Sequence, residues 1–102
     1  MKKKFAFLLM GGHYDPSLHQ AQFETEKQVS YVYTVQNYEQ AIKKVAELDE
    51  QGFGAIELCG AFGQEKAKEL AEITGNRIAF GYVVHDAEMD ELIQNFFVNK
   101  PI

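Results

Sequence analysis

From Val29 to Val84 the chain alternates three short β-prone runs with two helical stripes, and this alternation limits its fold more than any other feature. "VSYVYTV" (29–35), "AIELC" (55–59) and "IAFGYVV" (78–84) are rich in β-branched and aromatic residues, which suit a pleated, half-buried backbone. Between the first two runs, Tyr38, Ala41, Ile42, Val45 and Leu48 recur at helical spacing, predicting a helix over Asn37–Gln51. Asn37 with Gln40 three residues on fits a capping box, and Gly52 is a stop. Between the second and third runs, Ala67, Leu70, Ala71 and Thr74 form another stripe, closed by Gly75. Strand–helix–strand twice over makes two consecutive βαβ units. Such units require parallel strands and right-handed crossovers.

The flanking segments extend this frame. Phe5–Met10 is apolar on both faces of an alternating strand, the pattern of a strand covered on two sides. Three lysines precede it, so the start imitates a secretory signal. Its apolar run is shorter than the roughly 7–15 residues such a signal needs, and no small-residue cleavage site follows. It reads as a buried first strand. Gly11–Gln28 reads as a long polar loop, in which Asp15 before Pro16 caps a short helical turn through Leu18 and His19. In the next strand Val29, Tyr31, Tyr33 and Val35 share one face. Ser30, Val32 and Thr34 share a less buried one. After Val84, Asp86 is expected to cap a third helix, with Met89, Leu92, Ile93 and Phe96 facing inward and Glu88, Asp90 and Glu91 in its first turn. The expectation is one α/β domain over residues 1–102, ordered β-loop-β-α-β-α-β-α, with a mostly parallel four-stranded sheet and about three helices. The direction and partner of the first strand stay open, because a long loop can return either way.

Charge and composition exclude some partners. The net charge is −5. Residues 1–48 carry six Lys against five acidic residues, and residues 49–102 carry four Lys or Arg against ten. No basic stripe with interleaved aromatics exists, so nucleic acid is not an expected partner. No stretch approaches the ~20 apolar residues of a membrane span, so no membrane partner is expected. A single cysteine cannot close an internal disulfide, which fits a reducing cytoplasm. Eight Phe and five Tyr are more large apolar surface than a small monomer easily hides, which points to a homo-oligomer. Phe96 and Phe97 are adjacent and cannot both lie on one helical face, so one of them is expected against another chain.

In open parallel sheets, ligands bind beyond the carboxyl ends of the strands. If the first strand runs parallel to the others, His13, Tyr14 and Asp15 follow it there. Glu57, Cys59 and Gly60 mark the third, and His85 the fourth. His19 lies in the adjoining loop. The catalytic candidates are His13, Glu57, Cys59 and His85; a histidine would be the general base and Glu57 its partner. Glu57 equally suits a structural ion pair on a buried strand, and Cys59 a small core residue or a nucleophile near a helix start. Tyr14, Asp15, His19, Gly60 and Gly63 are the ligand-binding candidates. "CGAFG" would form a nest of inward-turned amides for an anion, or only a tight turn. His13, His19, His85 and Glu57 or Cys59 are acceptable ligands for a divalent metal, but no pair has an established metal spacing.

The blocks "FAFLLMGGHYDP", "FETE", "GAIELCGAFG" and "GYVVH" resemble those of a small family of bacterial and archaeal proteins of this length, catalogued only as a domain of unknown function. The resemblance covers nearly the whole chain and implies a compact α/β protein of cytosolic origin. It implies no chemistry. The residues themselves favour a pocket for a small polar or anionic metabolite at the carboxyl rim, with His/Glu acid–base chemistry open. A non-catalytic homo-oligomeric binding or assembly module is the alternative.

Overall fold

The computed structural model describes residues 2–98. Five strands are present: β1 (Lys3–Met10), β2 (Ala21–Glu24), β3 (Gln28–Val35), β4 (Ala55–Leu58) and β5 (Ala79–Tyr82). Helices α1 (Tyr38–Glu50) and α2 (Gly63–Ile73) are the two crossovers, and α3 (Asp90–Val98) follows β5 through a 3-10 turn at Ala87–Met89. The sheet order is β2-β3-β1-β4-β5. β1 is central and runs parallel to both β3 and β4, and β4 is parallel to β5. This settles the first strand's direction.

The fifth strand is β2, which pairs antiparallel with β3 at the sheet edge. It lies inside the stretch expected to be loop. Its four residues are all exposed, and the alternation of Ala21 and Phe23 with Gln22 and Glu24 holds only two apolar residues, too short to mark a strand inside a polar stretch. The turn into β3 forms it instead. Thr25 Oγ1 accepts from the Lys27 and Gln28 amides at 3.2 Å each, and the Thr25 amide donates to the Gln28 carbonyl at 2.9 Å.

Both βαβ units step in one direction along the sheet, from β3 over β1 to β4 and from β4 to β5. Right-handed crossovers therefore place α1 and α2 on the same face. The core lies between that face and the two helices. Ala6, Leu8, Ile56 and Leu58 from the sheet meet Ala41, Val45, Leu48 and Leu70 from the helices, all fully buried. Expected coverage on both faces is thus corrected. A doubly wound sheet would cover its second face with a helix between β1 and β3, and here that connection is a loop and β2. Phe5, Phe7, Leu9 and Val32 point to the bare face and stay half-exposed.

The two crossover helices end where expected. Asn37 Oδ1 accepts from the Gln40 amide at 2.9 Å, while the Gln40 side chain reaches back to the Gln36 amide at 2.8 Å. Past α1, Gly52 takes φ +83°, the Gly52 amide bonds the Asp49 carbonyl, and the Phe53 amide bonds the Leu48 carbonyl. α2 ends the same way, with the Gly75 and Asn76 amides on the Glu72 and Ala71 carbonyls. α3 departs from expectation. The Asp86 side chain makes no capping bond and the first turn is 3-10. No α3 residue is buried: Leu92 is 65% exposed, Phe96 77% and Phe97 74%, and only Ile93 is half-buried. Its apolar stripe faces outward because the core was already closed by α1 and α2.

Candidate functional site

Parallel pairing of β1, β4 and β5 brings the loops carrying His13, Cys59 and His85 to one edge of the sheet. Within that rim, the candidates separate into two groups.

The first group is built by the loop from Gly11 to Gln20. Its backbone folds as expected. The Leu18 and His19 amides donate to the Asp15 carbonyl at 3.1 and 2.8 Å, and Asp15 Oδ1 accepts from the Ser17 amide and hydroxyl at 3.0 and 2.7 Å. The Ser17 hydroxyl, then its amide, holds the Asp15 carboxyl below its usual value of 3.8. The loop is tied to the sheet by the Thr34 hydroxyl, which donates to the His19 carbonyl at 2.7 Å. It is tied to the start of α1 by Gln36, whose side-chain amide donates to the Tyr14 carbonyl at 2.8 Å. These ties gather three rings. The His13 and Tyr14 centroids are 4.2 Å apart, and Tyr14 and His19 are 6.1 Å apart, edge to face.

The three rings wall a shallow depression of about 340 Å³. Its floor is Leu9, Val32 and Ala21 on the bare face of the sheet, with Gln20 and Thr34 completing the lining. His19 Nδ1 accepts a hydrogen bond from the Asp15 amide at 2.8 Å. An accepting Nδ1 carries no proton, so neutral His19 carries its hydrogen on Nε2 and is a donor there. The three rings were legible in the sequence, whereas Leu9, Gln20, Ala21, Val32 and Thr34 were not. Gln20 and Ala21 were hidden with the unrecognised β2; Val32 and Thr34 carried only the weak signal of a mixed strand face.

The second group lies around β4 and β5. Glu57 is not a buried carboxylate: it sits on the bare face, exposed. Its carboxylate lies over Gly81 of the neighbouring strand, in space that any β-carbon at position 81 would need. Among the described residues it forms no hydrogen bond or ion pair. Cys59 is half-buried against the core, and its sulfur accepts from the Met10 amide at 3.4 Å, joining the ends of β1 and β4. The His85 ring lies over Gly60, 3.3 Å from where a β-carbon there would stand. Gly63 takes φ +79° after Phe62 in the right-handed helical region. That succession turns backbone amides the same way, as a nest does. Glu57, Cys59 and His85 do not line the depression beside His13. Among the described residues, no three His, Cys, Asp or Glu side chains form a group that could hold a metal ion, so His13, His19, His85 and Glu57 or Cys59 are not gathered as one.

Two wider concavities, of about 460 and 470 Å³, lie at the opposite rim among Lys2, Lys3, Lys4 and Lys27. The lysines there are partly engaged: Lys2 pairs with Glu24, and Lys4 donates to the Gln51 carbonyl at 2.8 Å. None of the candidates lies there.

Fold and site together define a one-sided α/β sheet protein with an aromatic, histidine-bearing depression at the carboxyl rim of its strands. Residues 3–98 match the model of DUF6506, a family of unknown function, and the chain belongs to that family. Comparison with curated proteins and with solved structures gives no match. Among the described residues, no helix is long and apolar enough to cross a membrane.

Proposed function

We propose that this protein binds a small polar metabolite in the depression walled by His13, Tyr14 and His19. The observation that carries this reading is the convergence of three rings over an apolar floor at the carboxyl rim, where parallel sheets receive ligands. Leu9, Val32 and Ala21 would take the apolar part of the ligand. His19 Nε2, the Tyr14 hydroxyl and the Gln20 amide would take its polar groups. Acid–base chemistry at this site falls to the two imidazoles rather than to a His–Glu pair, because Glu57 is not among the lining residues. Membranes and nucleic acids are not partners in this reading, and the protein works in the cytoplasm.

The test is a thermal-shift screen of small carboxylates, sugars, phosphates and nitrogen heterocycles on the wild type and on His13→Gln and Tyr14→Ala. A ligand at ten times its Kd raises the midpoint by about 6–11 °C in a domain of this size. Both variants should lose most of that shift. A ligand whose shift survives both substitutions binds elsewhere and refutes the proposal.

A second reading, a homo-oligomeric assembly module without catalysis, is supported by a different observation: the exposed apolar side of α3.

A further inference from the structure

Two apolar surfaces of this chain have no partner among the described residues. One is the bare face of the sheet, with Phe5 and Phe7 half-exposed along its central strand and Phe23 of β2 61% exposed on the same side. The other is α3 with its lead-in, where Val84 is 73% exposed and Met89, Leu92, Phe96, Phe97 and Val98 are also exposed. The radius of gyration is 14.5 Å, above the roughly 13 Å of a compact domain of this length, in keeping with a helix whose apolar residues are largely exposed.

We propose that these two surfaces make one self-complementary interface. Two copies pack bare face to bare face with opposed strand directions, and each lays its α3 on the sheet of the other. This is the second reading above made specific; it shares the bare face with the depression, whose floor of Leu9, Val32 and Ala21 lies at the carboxyl end of that face, and its test reads mass rather than ligand binding. Three observations select a second copy as the occupant. The first is that one chain carries both halves of the contact, as an isologous dimer requires. The second is area. The exposed parts of Phe23, Phe96 and Phe97 offer about 450 Å², taking roughly 150–250 Å² per aromatic side chain, with Phe96 on the partner's sheet and Phe97, about 100° round the helix, against the partner's α3. The aliphatic residues of α3 and its lead-in, with the half-exposed strand residues, bring each partner near the ~800 Å² of a standard interface.

The third is charge. Lys3 stands on the bare face at the amino end of β1, beside Lys2 and Lys4. Asp86, Glu88, Asp90 and Glu91 follow the carboxyl end of β5. Opposed strands bring the basic end of each copy toward the acidic end of the other. A packing with strands aligned would set like charges together.

Light scattering across the micromolar range is expected to give twice the mass of the chain. Phe96→Asp/Phe97→Asp is expected to give a single chain mass with unchanged circular dichroism, since neither ring is buried in the protomer. The chain has no Trp, so Phe97→Trp supplies one reporter. Its emission should be blue-shifted in the dimer and should turn solvent-like on dilution, in step with the loss of mass. Lys3→Glu should weaken the dimer by about tenfold. A wild-type mass of one chain overturns the proposal, as does a dimer that survives the double Asp substitution. Blue-shifted indole emission from Phe97→Trp in a species of single chain mass overturns it too, because α3 would then cover its own sheet. A Lys3→Glu dimer of undiminished affinity contradicts the opposed-strand arrangement.

Discussion

A carboxylate in the middle of a strand costs desolvation only where its side of the sheet is covered. Glu57 was legible as an oddity, but which side it faced depended on where two distant helices cross. Exposed, and without an ion-pair partner among the described residues, it contributes little to the fold. In the single chain, where that face stays open, Glu57→Gln should change stability by less than ~0.5 kcal/mol in chemical denaturation, measured in the Phe96→Asp/Phe97→Asp background. Tyr38 is the opposite case. Its hydroxyl oxygen is buried with no hydrogen-bond partner. Burial first, and the Glu69 carboxylate after it, push the phenol up to about 12, although Glu69 is not placed to accept a hydrogen bond within normal limits. Tyr38→Phe keeps the ring and removes the unsatisfied oxygen, so it should raise stability by about 1 kcal/mol. Asp15 and Asp49 are both held below their usual 3.8, by Ser17 and Arg77 respectively. A depressed carboxyl contributes stability that is full above its unfolded pKa and is lost as pH falls through the folded one. The Gly11–Gln20 loop and the Asp49–Arg77 pair should therefore hold at neutral pH and loosen below pH 3.8. In Ser17→Ala, an NMR titration should find Asp15 moved back up toward 3.8.

At the scale of elements, the two crossover helices were legible because each wrote its own boundaries: a side-chain cap at Asn37, a glycine past each end, and a stripe at constant spacing. Gly52→Ala forces a side chain into φ +83° and should cost about 1 kcal/mol or more by denaturant midpoint. Leu70→Ala should cost about 2–5 kcal/mol, since that side chain is fully buried between helix and sheet. β2 and the orientation of α3 were not legible, for one reason. A strand such as "AQFE" alternates over only two apolar residues, and it exists through its pairing with β3. The stripe of α3 states that an apolar face exists, but not whether the chain's own core has room for it. Local periodicity reports what a segment could bury, and topology decides whether it does.

For the whole molecule, the direction of two crossovers governs nearly everything else. Both step the same way along the sheet, so both helices fall on one side and a second apolar face is left bare. The connection from β1 to β3, which in a doubly wound sheet would cover that face, is instead a loop and an edge strand. That loop shades only the carboxyl rim, and there it sets His13, Tyr14 and His19 over Leu9 and Val32. The rim was legible from the order of strands. The separation of its candidates into a ring-walled depression and a Glu57–Cys59–His85 side was not, because it depends on which way each loop leans. The central claim is that ligand recognition belongs to the depression and not to the β4–β5 side. Amide chemical-shift mapping with any small molecule that stabilises the protein tests it most directly. The account predicts the largest shifts at Leu9, Tyr14, His19, Gln20 and Thr34, while shifts centred on Gly60, Gly63 and His85 would contradict it.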